Sequence, residues 1–191
     1  MKEAQRSFLL PPTVEPLPSA LAFLRHARFR LREDYPVKIK GVMAELSDEQ
    51  IWWRPNEVSN SIGNLILHLS GNVRQWLIAG VGKAIDVRNR SSEFAERKQI
   101  GKEDLLNLLT ATLEEADAVL AKMETDTLAA KSDEPLQRHC VPQGFTQTVL
   151  DAVFHVVEHF SYHTGQIVFI AKQQAGERIE FYDDRQLEVK R

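Results

Sequence analysis

The chain has 191 residues, 43% hydrophobic and 27% charged, with 24 Lys and Arg against 27 Asp and Glu for a net charge of −3. That length suits one domain with a single sizeable core, and the charge leaves no basic footprint for DNA or RNA. No apolar run reaches the roughly 18 residues that cross a bilayer, the N-terminus lacks the hydrophobic stretch of a signal peptide, and a single cysteine, Cys140, permits no intrachain disulfide; the expectation is a cytoplasmic protein with no membrane or nucleic-acid partner.

Residues 1–18 carry Pro11, Pro12, Pro16 and Pro18. Proline fixes φ and removes a donor, so this stretch reads as an extended arm. A first helix starts near Ser19, with Leu21, Leu24, Leu31, Ile39, Val42, Met43 and Leu46 in a broken helical period. Pro36 is expected to kink or split it near Tyr35. The stretch LSDEQIWWRP reads as a turn with a short helical piece, opened by a capping box of Ser47 and Gln50.

A second helix opens at Asn60 or Ser61 and ends near Gly80 or Gly82, with Ile62, Leu65, Ile66, Leu69, Val73, Trp76 and Leu77 as its apolar positions. Residues 83–100 are polar and charged, a long connection that lets adjacent helices run parallel. A third helix over about 102–124 shows the cleanest stripe, Leu105, Leu109, Leu113, Ala116, Leu120 and Met123. Residues 125–146 read as a loop. A fourth helix runs from Thr148, in a capping-box pattern with Asp151, to about Gln174, and Gly176 ends it. The charged tail 177–191 reads as extended, and RIEFY within it is the one strand-like run. The fold class is all-α, led by a four-helix bundle over 19–176.

HVVEHFSYHTGQI places His155, His159 and His163 four residues apart. Each step advances about 400°, so the three form a stripe along one helix face. The outer pair lies roughly 12 Å apart along the axis, so one metal ion would take two of the three and need a ligand from elsewhere. The second helix offers His68, flanked one turn away by Asn64 and Asn72 on an otherwise apolar surface. A polar strip facing a bundle interior needs partners, and a metal with its water would supply them. The plain alternative is that each is a hydrogen-bonded core histidine or a solvated one. Neutral imidazoles suit zinc, nickel, copper or iron.

Other residues carry weaker signals. Glu158 reads as a surface carboxylate or as a general base and orienting group. Asn64, Asn72 and Gln166 read as donors around the site, and Tyr162 as a pocket wall. Trp52, Trp53 and Arg54 read as core and loop anchors, with Arg54 also placed to meet an anionic substrate. Adjacent His139 and Cys140 should point apart, and His26 among arginines reads as solvated surface.

The segments WWRPNEVSNSIGNLILHLSGNVRQW and HVVEHFSYHTGQI together resemble the DinB-like, damage-inducible superfamily, in a branch of uncharacterised bacterial proteins, over roughly residues 20–175. The resemblance implies an up-down-down-up bundle with a long crossover between helices 2 and 3. It implies a divalent metal, zinc or nickel, held by His68, His159 and His163, with His155 beside them in the pocket wall. Three protein ligands leave coordination positions open, the layout of a catalytic site. By the same resemblance the protein is a thiol S-transferase using a low-molecular-weight thiol such as bacillithiol, mycothiol or glutathione on a small electrophile, and forms a homodimer. A metal-dependent hydrolase and a non-catalytic metal- or ligand-binding module are the alternatives.

Overall fold

The computed structural model describes residues 19–97 and 100–180. The arm expected over 1–18 lies outside the described residues, as does the tail beyond residue 180.

Helix α1 (Ser19–Phe29) turns Ala20, Leu21, Leu24 and Ala27 into the core. Near Tyr35, where a kink or split is expected, it changes character: a π-helical turn, Arg30–Asp34, leads into α2 (Tyr35–Ala44), with Pro36 at the second residue of α2. The wide turn buries the Asp34 carboxylate, which pairs with Arg30 and, at 2.7 Å, with Lys38.

Helix α3 (Asp48–Trp52) starts with the Ser47–Gln50 capping box. Trp52 donates its indole N–H to the Ile100 carbonyl at 2.9 Å. Helix α4 (Ile62–Val73) is capped by Ser61, with Asn64 closing the box, and continues as a π-helical stretch, Arg74–Val81. That stretch coincides with four consecutive buried residues, Gln75 to Ile78, more than a single helical stripe presents. The chain then runs without a regular element to Asn89, whose side chain caps α5 (Arg90–Ala95).

Helix α6 (Lys102–Ala130) outlasts its expected end at 124 by nearly two turns. Thr125 and Thr127 donate back to the carbonyls of Ala121 and Met123, and Lys122 pairs with Asp126 one turn on, so polar residues that read as loop satisfy themselves in the helix. It ends at Lys131 in the left-handed region, φ 50°. After α7 (Glu134–Gln137) two residues, β1 (His139–Cys140), pair antiparallel with β2 (Gln147–Thr148), correcting the expectation of an unpaired loop. The expected strand-like run RIEFY is not a strand where it is described: Arg178 closes a 3-10 turn that starts at Gly176. Helix α8 (Val149–Ala175) opens with the Thr148–Asp151 capping box and ends at Gly176, φ 60°.

The fold is mostly helical. Helix α4 packs against α6 and α8, α2 against α8, and α1 against α6. Arg28 forks onto Asp117 at 2.6 and 2.9 Å and reaches Glu124 at 2.8 Å, tying α1 to α6. Tyr35 stacks on Phe160, centroids 5.7 Å apart. Among the described residues no helix is long and apolar enough to cross a membrane.

Candidate metal centre

The facing surfaces of α4 and α8 bring His68 against His159 and His163. Their Nε2 atoms converge: His68 to His159 is 3.1 Å and His163 to His159 is 3.2 Å. One ring nitrogen from each lies within 4.8 Å of the others. A tetrahedral ion with bonds of 2.0–2.1 Å separates its ligand atoms by about 3.3–3.4 Å, close to what is seen.

The outer ring nitrogens have acceptors of their own. His163 Nδ1 lies 2.7 Å from Gln166 Oε1, and His68 Nδ1 lies 2.8 Å from Glu93 Oε2 and 3.1 Å from Arg88 Nη2. In the tautomer that donates Nδ1–H to these oxygens, both Nε2 atoms aim lone pairs at His159 Nε2. A single proton on His159 satisfies one of them; a cation satisfies all three. The donor set, three imidazoles with two of the outer nitrogens hydrogen-bonded, fits a divalent transition metal.

The electrostatics favour the neutral form of His159 and His163. Burial, then the neighbouring imidazoles of His163, His68 and His155 and the Arg88 cation, push His159 down to about 3. Burial lowers His163, partly offset by Gln166. Neutral imidazole is the ligating form.

Glu93 and Arg88 carry the support for His68, and the sequence reading passed over both. Arg88 donates to Glu93 Oε1 at 2.7 Å and to Oε2 at 2.9 Å, and to Gln75 Oε1 at 2.9 Å. Gln75 in turn donates to Asp86 at 2.7 Å. Burial raises the Glu93 carboxyl, but hydrogen bonds from Arg88 and His68 outweigh it and hold it below its ordinary range. Phe94 lies 4.6 Å from the His68 ring, so α5 both supports and covers this ligand. Charged residues in a long connection read as solvated. The available signal was Gly71, a gap on α4 three residues from His68, which the Glu93 carboxylate fills.

The other expected site residues distribute as follows. His155 sits a turn away from the cluster, its Nε2 accepting from Asn72 at 3.1 Å and its ring stacked 3.9 Å over Trp76. Burial lowers its pKa, and Glu158 opposes that shift; Glu158 itself is exposed. Asn64 is buried and committed to Ser61 and to the carbonyls of Glu93 and Glu96. Tyr162 meets His163 edge-on at 5.1 Å. Arg54 donates to the Glu57 carbonyl at 3.1 Å. His139 is exposed while Cys140 is buried, so the two point apart; burial raises the Cys140 thiol. His26 is half-buried and accepts from Arg30 at 3.1 Å, which corrects its reading as free surface.

The fold is mostly helical and turns three imidazoles toward one point. The fold is similar to that of a DinB-like protein, YjoA, from Bacillus subtilis, whose crystal structure aligns with a TM-score of 0.52 at 17% identity over 87% of this chain and 99% of that one. The chain belongs to the DUF1572 family of proteins of unknown function, which it matches over residues 19–182. No curated protein matches it.

Proposed function

We propose that this protein is a metal-dependent thiol S-transferase acting on a small electrophile, with zinc or nickel held by His68, His159 and His163. The observation that carries the reading is the convergence of three Nε2 atoms, two of them on rings whose Nδ1 has an oxygen partner. A bound divalent cation supplies Lewis acidity, lowering the pKa of a coordinated thiol or water.

The chain's own residues favour a thiol over water as nucleophile. Among the described residues no carboxylate joins the imidazole cluster. Glu93 is spent on His68 and Arg88, and Glu158 is exposed. A hydrolase gains from a general base within reach of its water, whereas a thiol, intrinsically far more acidic than water, would ionise to solvent with less help. Sulfur then bonds to the electrophilic carbon, and the leaving group departs with its electron pair. Gln166 and Glu93 hold the His163 and His68 rings in the ligating tautomer throughout.

The cross-element pairings support the finer topology. Arg28 of α1 meets Asp117 and Glu124 of α6, while Arg74 after α4 meets Glu115 of α6. They suit an up-down-down-up four-helix bundle over 19–176, with residues 83–100 as the crossover between its second and third helices, an N-terminal arm at 1–18 and a charged tail at 177–191. We read the protein as cytoplasmic and homodimeric.

The test is to load the protein with zinc or nickel and assay glutathione, bacillithiol and mycothiol against a chromogenic electrophile. Metal-dependent turnover with one thiol is expected. Hydrolysis of esters or amides without added thiol, or no turnover with any thiol, would overturn the assignment.

A further inference from the structure

One helical turn beyond the imidazoles, the loop over residues 55–60 and α8 enclose an open cleft of about 560 Å³. Leu65 of α4 and Tyr162, Gln166, Phe169 and Ile170 of α8 line it. Two features make it more than a surface dent. Apolar side chains crowd it in unusually exposed positions: Val58 is 94% exposed, Tyr162 64% and Phe169 64%. Large apolar groups left open together mark a binding surface. The second feature is that, among the described residues, no lining residue carries a formal charge; its polar groups are the hydroxyls and carboxamides of Ser59, Asn60, Tyr162, Gln166 and Gln173.

Gln166 joins this cleft to the candidate metal centre. Its Oε1 accepts from His163, which leaves the amide N–H groups as donors.

We propose that this cleft is the recognition site for an uncharged small molecule with an aromatic or other apolar body and an oxygen acceptor that meets Gln166. Naming that molecule as the electrophile rests on the S-transferase reading. Low-molecular-weight thiols such as glutathione carry carboxylates, and an ionised group has no partner in this lining. The electrophile, which needs no charge, matches it. The occupant gains apolar contact with Tyr162, Phe169 and Val58 and one directed hydrogen bond from Gln166.

The test uses two dyes with one hydrocarbon skeleton, uncharged N-phenyl-1-naphthylamine and its sulfonated counterpart 8-anilino-1-naphthalenesulfonate. Titrations are followed by fluorescence on the metal-free protein, so that they do not depend on the metal centre. The uncharged dye should bind saturably and at least about tenfold more tightly than the sulfonate. Gly165 lines the cleft on the exposed face of α8, and nothing lies within 4 Å of where its Cβ would sit. Gly165→Trp should therefore fold, fill the cleft and weaken the uncharged dye at least about tenfold. Phe169→Ala, which removes an exposed ring, should weaken it in the same direction. Melting curves check that both variants are folded, and zinc titration of both should match the parent. Equal affinity for the two dyes, or undiminished binding by folded Gly165→Trp, would overturn the proposal. Failure of the parent to take up zinc would overturn the metal reading instead, with the dye result still deciding the cleft.

Discussion

Alanine at position 71 should destabilise this protein, although alanine is the better helix former by about 1 kcal/mol. Gly71 lies inside α4, and a Cβ there would overlap Glu93 Oε1, sit 2.8 Å from its Cδ and come within 3.0 Å of Arg88 Nε. The carboxylate is the end of a flexible side chain, but it is not free to move. It holds Arg88 at 2.7 and 2.9 Å and His68 at 2.8 Å, in a place where the Arg88 side chain is 3% exposed. Displacing Glu93 leaves a buried guanidinium without its partner, a loss of about 3–5 kcal/mol. Against the propensity gain of about 1, the net is a destabilisation of about 2–4 kcal/mol. For a chain of this size that lowers Tm by about 4–16 °C. Because His68 also loses the acceptor that fixes its tautomer, zinc affinity should fall about 10–100-fold. Thermal unfolding by circular dichroism with a chelator present isolates the first effect, and competitive zinc titration measures the second. A Gly71→Ala protein that melts at or above the parent, with unchanged zinc affinity, would refute the reasoning.

Ser61→Ala removes the N-cap of α4, whose hydroxyl accepts from Asn64 N–H at 3.1 Å in a fully buried position; chemical denaturation should show a loss of about 1–2 kcal/mol. Cys140 should react with a thiol-specific reagent more slowly than free cysteine at neutral pH, because burial raises its pKa and its Sγ faces the Thr148 carbonyl. Its rate should keep climbing with pH above the point where free cysteine levels off, and a rate matching free cysteine at neutral pH would contradict that.

Much of the helical frame was legible because its signals are local. Ser47 with Gln50 and Thr148 with Asp151 mark helix starts through hydrogen bonds made within four residues, and the structure has both boxes. Where a boundary depends on something less local, the reading drifted. Helix α6 ends without glycine, at a left-handed lysine, so nothing announces residue 130. The π-helical turns at Arg30–Asp34 and Arg74–Val81 leave no distinct hydrophobic period, so the change of helix expected near Tyr35 could be placed but not its π-helical form. The histidine stripe was visible from spacing. That His155 turns to Asn72 and Trp76 instead of joining its neighbours is a matter of packing against α4. Glu93 and Arg88 stayed hidden because their burial arises only when residues 83–97 fold back over Gly71 and His68, which no pattern within that charged stretch encodes.

The central claim, that imidazoles from α4 and α8 hold one divalent ion, is tested most directly by elemental analysis of zinc- or nickel-loaded protein after gel filtration, with His68→Ala and His163→Ala alongside. One equivalent of metal per chain in the parent, lost in both variants, is the predicted result. A parent that takes up no transition metal at micromolar concentration, or variants that both keep a full equivalent, would contradict it.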